Sequence, residues 1–332
     1  VNKPLFSIIT PNYNSGVKLR RAAESLEANN ASYEHIIIDD FSTDESIYFL
    51  SKCTSPTRIF LNRKNVGPGP SRNRGLSEVK GRYILFLDSD DYFVSGALDK
   101  LSAMLNSEDF PDVLIFGYQL LRSAKYASND MTVIDDNIGS IKRLCGDDLV
   151  VTYLLDGIVS APWGKCISSS ITKQSEFPDL SVSQDSFFNL DVFIKSKNAI
   201  LTKDKLYIFD KSEVGSLTSK PFDRKEFKKF YWSWLCFERK VMNDPALKKY
   251  QKYMAARKIK FCVLYYINRL ALTPANDLDS FVVSVVKAIF IRNIRSGCKY
   301  LSAKSIFLAL LFICSPKLVL HIVSVRMAVG SK

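Results

Sequence analysis

The sequence predicts an α/β fold: a mostly parallel central sheet flanked by helices, followed by a C-terminal helical appendage. Three observations point there. Short apolar runs rich in β-branched residues alternate with segments of helical spacing through the front of the chain. The most apolar of those runs, Ile36-Ile37-Ile38, is continuous rather than alternating, as in a strand buried on both faces. After Pro221 the strand signals thin out, and Lys and Arg interleave with aromatic and aliphatic residues at helical spacing. At 332 residues, with 47% apolar and 24% charged side chains, the chain exceeds a usual single domain and has ample material for a core. Global disorder is excluded by the same composition.

The elements follow in order. Leu5 to Thr10 reads as a first strand stopped by Pro11-Asn12, and residues 18–29 carry helical spacing in Leu19, Ala22, Ala23 and Leu26. Ile36 to Ile38 ends on Asp39-Asp40, and Ser42 with Glu45 has the spacing of a capping box for the next helix. Arg58 to Leu61 is another short strand. Gly67-Pro68-Gly69-Pro70 bends the chain before a short helix carrying Arg72, Asn73 and Leu76, and Tyr83 to Leu87 runs into Asp88-Ser89-Asp90-Asp91. Val113 to Phe116 is a further strand, and the polar stretch from Arg122 to Ile138 reads as a hairpin or an ordered loop over a site. Residues 224–270 suggest two helices, and Gly297 interrupts later helical material. Ser305 to Val325 is apolar and about 21 residues long, close to the roughly 20 needed to span a bilayer. Pro316, Lys317 and His321 interrupt it, which favours a helix pair lying in a membrane interface over a true span.

Charge is unevenly placed. Of the formal +12, residues 220–332 hold 22 Lys and Arg against 6 Asp and Glu, or +16, which leaves −4 for residues 1–219. A basic, apolar-rich module suits an anionic membrane surface. Nucleic acid is disfavoured, because no zinc-finger spacing, RNA-binding aromatic motif or recognition-helix signature is present. The seven cysteines are scattered, odd in number and without a C-x-x-C pair, as expected of free thiols in a reducing compartment. With only His35 and His321 as histidines, zinc chemistry built on histidine clusters is excluded. Val1-Asn2-Lys3-Pro4 leads directly into a strand-like run, without the regions of a secretory leader. No Gly-Lys-Ser/Thr follows Gly67 and no GxGxxG follows the first strand, so P-loop and dinucleotide chemistry lose ground together.

In parallel sheets ligands bind outside the carboxyl ends of the strands, where both acidic groups fall. Asp88 and Asp90, two residues apart as a strand runs out, suit Mg²⁺ or Mn²⁺, whose octahedron substrate phosphates would complete. Read alone, they are equally a solvated acidic turn. Arg72 can grip phosphate bidentately and Asn73 can hold a sugar hydroxyl, although both also fit a helix surface. Thr10-Pro11-Asn12-Tyr13-Asn14 is either a plain turn or a turn that wraps a base, with Tyr13 stacking.

Together these segments closely resemble the family 2 glycosyltransferases. The residues that carry the resemblance are Ser7 to Asn14, Ile38 to Asp44, Asn65-Val66-Gly67, Ser71 to Leu76 and Phe86 to Asp91, five motifs in order within 91 residues. The resemblance implies a GT-A fold over residues 1–219, with a nucleotide-sugar half at 1–110 and an acceptor half at 111–219, and the basic, apolar-rich residues 220–332 read as a helical membrane-associating region. It implies a nucleotide-sugar donor, with UDP the expected carrier, and inversion at the anomeric carbon. Donor contacts are expected at Thr10, Pro11, Asn12, Tyr13, Asp39, Asp40, Asn65, Gly67, Arg72, Asp88 and Ser89, and Asp90 with Asp88 would hold Mn²⁺ or Mg²⁺. The family usually has Ala where Ser71 stands and Gly where Phe41 stands.

Ala161-Pro162-Trp163-Gly164-Lys165 resembles a segment of family members that build bacterial surface polysaccharides. Trp163 is either a stacking platform for an acceptor pyranose or a core residue. Gln184-Asp185 stands where the family commonly has Glu-Asp, so Asp185 is the expected base that takes the acceptor proton, with Gln184 as an acceptor contact. Without the resemblance, Asp185 reads as an acid favoured at a helix N-terminus. Lys211 to Thr218 resembles a polar segment that approaches the diphosphate. The expected acceptor is a glycan or lipid-linked glycan for capsule, O-antigen or lipopolysaccharide, at the cytoplasmic side of the inner membrane. The rivals are an inactive nucleotide-sugar-binding protein, which damaged acids would mark, and a nucleotidyltransferase, which would need a Gly- and Lys-bearing loop after the first strand.

Overall fold

The structure, a computed structural model, describes residues 3–52, 56–122, 141–155, 158–180, 182–212, 224–264, 266–267, 280–316 and 319. The polar stretch at 123–138, positions 213–218, Lys317 and His321 lie outside the described residues. The chain divides into two compact units.

The first unit comprises residues 1–121, 130–150 and 158–210. Its strands are β1 (Phe6–Asn12), β2 (Tyr33–Asp39), β3 (Thr57–Leu61), β4 (Tyr83–Phe86), β5 (Tyr92–Phe93), β6 (Val113–Arg122), β7 (Ile141–Cys145), β8 (Lys165–Ser168) and β9 (Asn198–Lys211). They form one sheet in the order β3-β2-β1-β4-β8-β6-β9-β5, with β7 also on β9. Pairing is parallel among β1 to β4 and antiparallel at β4/β8, β8/β6, β5/β9 and β7/β9. The parallel half is the part with isoleucine-rich runs, and Ile8, Ile9, Ile36, Ile37 and Ile38 are all fully buried. Helices α1 (Val17–Glu27), α2 (Ser46–Leu50), α3 (Pro68–Ser77), α4 (Ala97–Ser107), α5 (Asp147–Leu154) and α6 (Gln184–Lys195) accompany the strands. Leu19, Ala22 and Leu26 give α1 one buried stripe. Helix α3 starts on Pro68, where the missing N–H costs nothing, and lies so close to the sheet that a Cβ on Gly75 would sit 2.5 Å from Ile9 Cγ2.

This arrangement brings the carboxyl ends of β1, β2 and β4 side by side. Asn12 is in register with Asp39, and Asp88 follows two residues after β4. The expected capping box does not form. Helix α2 begins at Ser46, whose N–H is met by the Asp44 carboxylate, while Ser42 Oγ is drawn to Asp39 at 2.6 Å.

The second unit comprises residues 122–129, 151–157 and 211–332. Its helices are α7 (Arg224–Asn243), α8 (Met254–Lys258), α9 (Ser280–Gly297) and α10 (Ala303–Cys314); a 3₁₀ stretch, Pro245–Tyr253, precedes α8 and a π-helical turn, Ile259–Leu264, follows it. Phe227, Phe230, Trp234, Phe237 and Val241 recur at three- and four-residue steps along α7 and are buried, which is the signature of a helix with one packed face. Arg257 is buried too, its Nη1 donating to the Tyr153 carbonyl at 2.7 Å and its guanidinium over the Tyr153 ring. Among the described residues no helix is long and apolar enough to cross a membrane.

Candidate active site

The first strand ends build a frame. Asp39 is buried and its carboxylate accepts from Asn12 Nδ2, Ser42 N and Ser42 Oγ at 2.6–3.0 Å. Asp40 is buried as well, and it accepts from Asn62 Nδ2, Val66 N and Gly67 N at 2.7–2.9 Å. Asp40 therefore organises the loop that carries Asn65 and Gly67, and Gly67 takes a φ of +89° that favours glycine. Asn65 and Tyr13 are exposed, Tyr13 at 51%, next to Pro11 at the end of β1. Thr10 points into the sheet instead: its hydroxyl meets His35 Nε2 at 2.9 Å, where burial pushes the imidazole pKa down to about 3. Thr10 was expected among the donor contacts, and its hydroxyl is engaged by that partner.

Arg72 joins the acidic groups. Its guanidinium is buried, Nη2 reaching Asp88 Oδ1 at 2.6 Å and Nη1 reaching Asp185 Oδ1 at 3.4 Å. Phe177 lies against it with its ring 5.5 Å from the guanidinium carbon, and Phe177 itself stacks on Phe188 of α6 at 4.2 Å. Asn73 is not free for a sugar. Its side chain donates to the Phe177 carbonyl and accepts from the Phe177 N–H, both at 2.8 Å, so it fastens Phe177 beneath Arg72.

Asp185 stands in the first turn of α6, with its side chain 28% exposed. Burial raises its pKa to about 6, Arg72 and Lys165 pulling against that and Asp88 adding to it. A carboxyl that gains and loses a proton close to neutrality is suited to general base work. Gln184 is buried, and a Cβ on Gly69 would sit 2.0 Å from its Oε1. Its Oε1 packs on the first turn of α3.

The turn after β4 is held by residues that no local pattern marks. The Tyr207 hydroxyl accepts from Asp88 N at 3.1 Å and donates to Asp91 Oδ2 at 2.7 Å, and Asp91 Oδ1 accepts from Asp210 N at 2.9 Å. Arg21 of α1 pairs with Asp210 at 2.6 Å and donates to the Asp90 carbonyl at 2.9 Å. Ser89 meets Ser15 at 2.6 Å. Burial and the neighbouring Asp88 raise the pKa of Asp90, and burial with Asp88 and Asp90 lifts Asp91 to about 8. Tyr207 lies over a hundred residues from its partners, so only the folded β5/β9 pairing reveals it.

Trp163 is 4% exposed, stacked on Tyr207 at 4.9 Å and edge-on to Tyr118. The face that was expected to meet a pyranose is covered by Tyr207, so Trp163 is a core residue. Lys165, from the same motif, is fully buried and donates to the carbonyls of Val159, Ala161 and Trp163 at 2.6–3.3 Å.

For a divalent cation, Asp88 and Asp90 offer hard oxygen ligands in a turn whose carboxylates disfavour one another's charge, a tension that a cation would relieve. Among the described residues no group of three or more His, Cys, Asp or Glu is placed to hold a metal. Two carboxylates fit an ion that takes its remaining oxygens from phosphate and water.

A half-parallel sheet with an acidic turn at the end of β4 and a facing carboxylate on α6 is consistent with the GT-A fold. Residues 7–122 match the family model for glycosyl transferase family 2. An uncharacterized glycosyltransferase of Haemophilus influenzae (strain ATCC 51907 / DSM 11121 / KW20 / Rd) is 27% identical over 276 residues, 81% of this chain and 97% of its own. A putative teichuronic acid biosynthesis glycosyltransferase, TuaG, of Bacillus subtilis (strain 168) is 28% identical over 55% of this chain and 69% of its own. Among solved structures, S. aureus TarS in complex with UDP-GlcNAc aligns with a TM-score of 0.64 at 16% identity, covering 97% of this chain and 89% of that chain. That likeness is one of fold.

Proposed function

We propose that this enzyme transfers a sugar from a UDP-linked donor to a hydroxyl of a bacterial cell-surface glycan with inversion, using Asp185 as the base. The observation that carries this reading is the Asp88–Arg72–Asp185 line, in which one buried guanidinium spans the acidic turn and a carboxylate with a pKa near 6. The acceptor O–H proton passes to Asp185 as the oxygen bonds to the anomeric carbon, the bond from that carbon to the diphosphate breaks, and the nucleoside diphosphate leaves with the electron pair. Asp185 is favoured for this over Asp91, whose carboxylate is wholly engaged by Tyr207 and the Asp210 N–H. Tyr13, Pro11, Asn65 and Gly67 surround the space assigned to the nucleotide, and Asp39, Asp40 and Asn12 serve it by fixing those loops. Asp88, Ser89 and Asp90 lie where the diphosphate is assigned. A Mn²⁺ or Mg²⁺ held by Asp90 and Asp88 would neutralise charge on the leaving diphosphate.

The donor assignment draws on the UDP-GlcNAc bound by TarS, and the acceptor class on TuaG, named for teichuronic acid biosynthesis. Capsule, O-antigen and lipopolysaccharide are further members of that class. A lipid-linked acceptor at the cytoplasmic face of the membrane accords with the +16 of residues 220–332 and with exposed Trp232, Phe281 and Phe307 on their helices. Each Lys or Arg near an anionic surface is worth about 1 kcal/mol.

The test is a donor-hydrolysis and transfer screen over a panel of nucleotide sugars with Mn²⁺, Mg²⁺ or chelator. Turnover of one UDP-sugar is expected, lost in Asp90→Ala, with transfer but not donor binding lost in Asp185→Ala. Folded protein that neither binds nor turns over any donor would overturn the reading. Full turnover in chelator would remove the metal from it.

A further inference from the structure

The buried ammonium of Lys165 has no part in the chemistry above, yet it is among the most completely enclosed charged groups in the first unit. Burial drives its pKa down to about 7, with the Asp185 carboxylate pulling the other way, so the two charges lie within electrostatic reach. All three of its protons are used inward, on the carbonyls of Val159 at 2.9 Å, Ala161 at 2.6 Å and Trp163 at 3.3 Å. A buried charge is tolerated only where such partners replace water. What they hold is the short segment before β8. The one carbonyl between the first two, that of Ser160, is taken from another direction by Asn189 Nδ2 at 2.6 Å.

Asn189 identifies what that segment faces. It is four residues after Asp185 on α6 and therefore on the same helix face, about 6 Å along. Residues 159–161 consequently run beside the second turn of α6, one turn on from Asp185, their backbone fixed by one clamp from Lys165 and a second from Asn189. Val159 and Ala161 rest on the core cluster, and Ser160 between them is half-buried and polar. Arg72 approaches Asp185 from α3, and the segment before β8 meets the same helix at Asn189.

We propose that residues 159–161 form the acceptor-side wall of the Asp185 site, with Ser160 as a specificity-determining residue for the acceptor sugar or polyol hydroxyls and Lys165 and Asn189 as positioning residues. The proposal rests on Asp185 being the acceptor's base. It explains why a lysine stands in the Pro162-Trp163-Gly164-Lys165 motif. Its ammonium ties three carbonyls together, and a neutral side chain of similar length would leave those bonds unmade.

The experiment separates acceptor from donor. For the active enzyme, acceptor KM and kcat are measured at saturating donor, and donor Kd by calorimetry with UDP, for Ser160→Trp, Asn189→Leu and Lys165→Met. The expected result is an acceptor KM raised about tenfold in Asn189→Leu and Lys165→Met, with the Kd for UDP within twofold of the parent. Ser160→Trp changes only a half-buried side chain that makes neither clamp bond, the Ser160 carbonyl still accepting from Asn189, and should fold normally and discriminate between acceptors of different size. Unchanged acceptor KM in folded Ser160→Trp and Asn189→Leu overturns the proposal, as does an equal loss of UDP affinity, which marks a merely structural lysine. Failure of the underlying reading looks different, because Asp185→Asn would then retain transfer while the wall variants still shift acceptor KM.

Discussion

Arg72 is the residue on which most of the site's geometry depends. Burial opposes its charge, and Asp88 and Asp185 offset that opposition, leaving a guanidinium fixed between two carboxylates with its Nε buried and without a hydrogen-bond partner. Lysine in its place has one point charge and cannot reach both acids along two prongs. Arg72→Lys is expected to lower kcat/KM about 100-fold, consistent with losing one strong site interaction of roughly 3 kcal/mol, with the melting temperature falling much less. Steady-state kinetics alongside a thermal melt checks this. Phe41 gives a second prediction of opposite sign. It holds a φ of +68°, the left-handed region where a bulky residue is strained, and its ring is exposed. Phe41→Gly should stabilise the protein by roughly 0.5–1 kcal/mol in a denaturant titration, the relief of strain exceeding glycine's entropic cost. The family's glycine at this position could be noted in the sequence, but the reason for it is a backbone angle. In the same way the acids Asp88, Asp90 and Asp185 were legible from their motifs. Tyr207 and Lys165 were not, because their partners are either far away in sequence or backbone carbonyls.

At the scale of the element, α3 shows what local pattern can and cannot deliver. The sequence places a bend at Gly67 to Pro70 before the helix that carries Arg72, whereas the helix already begins at Pro68 and includes Gly69 and Pro70. That Gly75 must be glycine is set by the sheet beneath it, since a Cβ would meet Ile9 Cγ2 at 2.5 Å and Ile38 close behind. Gly75→Ala is expected to cost about 2 kcal/mol through overpacking, and because the shift would lift α3 off β1 it should also weaken UDP binding through Arg72. A chemical melt and a UDP titration on the same variant test both parts. The parallel strands β1, β2 and β4 were readable because burial on both faces demands continuous apolar runs. The antiparallel half was less so. Strand β9 carries Lys203-Asp204-Lys205 in its middle and pairs with β5, β6 and β7, partners fixed by long-range closure rather than by any period in its own sequence. Trp163 was left open between platform and core for a related reason: an aromatic residue beside a site motif has two faces, and sequence does not say that Tyr207 covers one of them.

For the whole molecule, the raised pKa of Asp185 links activity to stability in opposite directions. Its folded-state pKa near 6 lies above the ordinary value of 3.8, so the folded protein retains a proton that the unfolded chain has released between those limits. The stabilising contribution is therefore fully present below about pH 4 and is lost as pH rises through 6. A base must be deprotonated to act, so transfer should increase over the same interval and level off above it. His35 complicates a direct reading of the total, because its lowered pKa adds stability as pH rises from about 3 to 6.5. Comparing the parent with Asp185→Asn removes that background, since His35 is common to both. The variant is expected to gain on the parent as pH rises from 4 through 6, by roughly 3 kcal/mol relative to their difference at pH 4, while its transfer activity stays low at every pH. Denaturant midpoints at pH 4, 5, 6 and 7 give the stability difference, and initial rates on the parent give the activity limb. A stability difference that does not change across that range would mean that Asp185 titrates at an ordinary carboxylate pKa. The parent's activity should then already be at its plateau by pH 5.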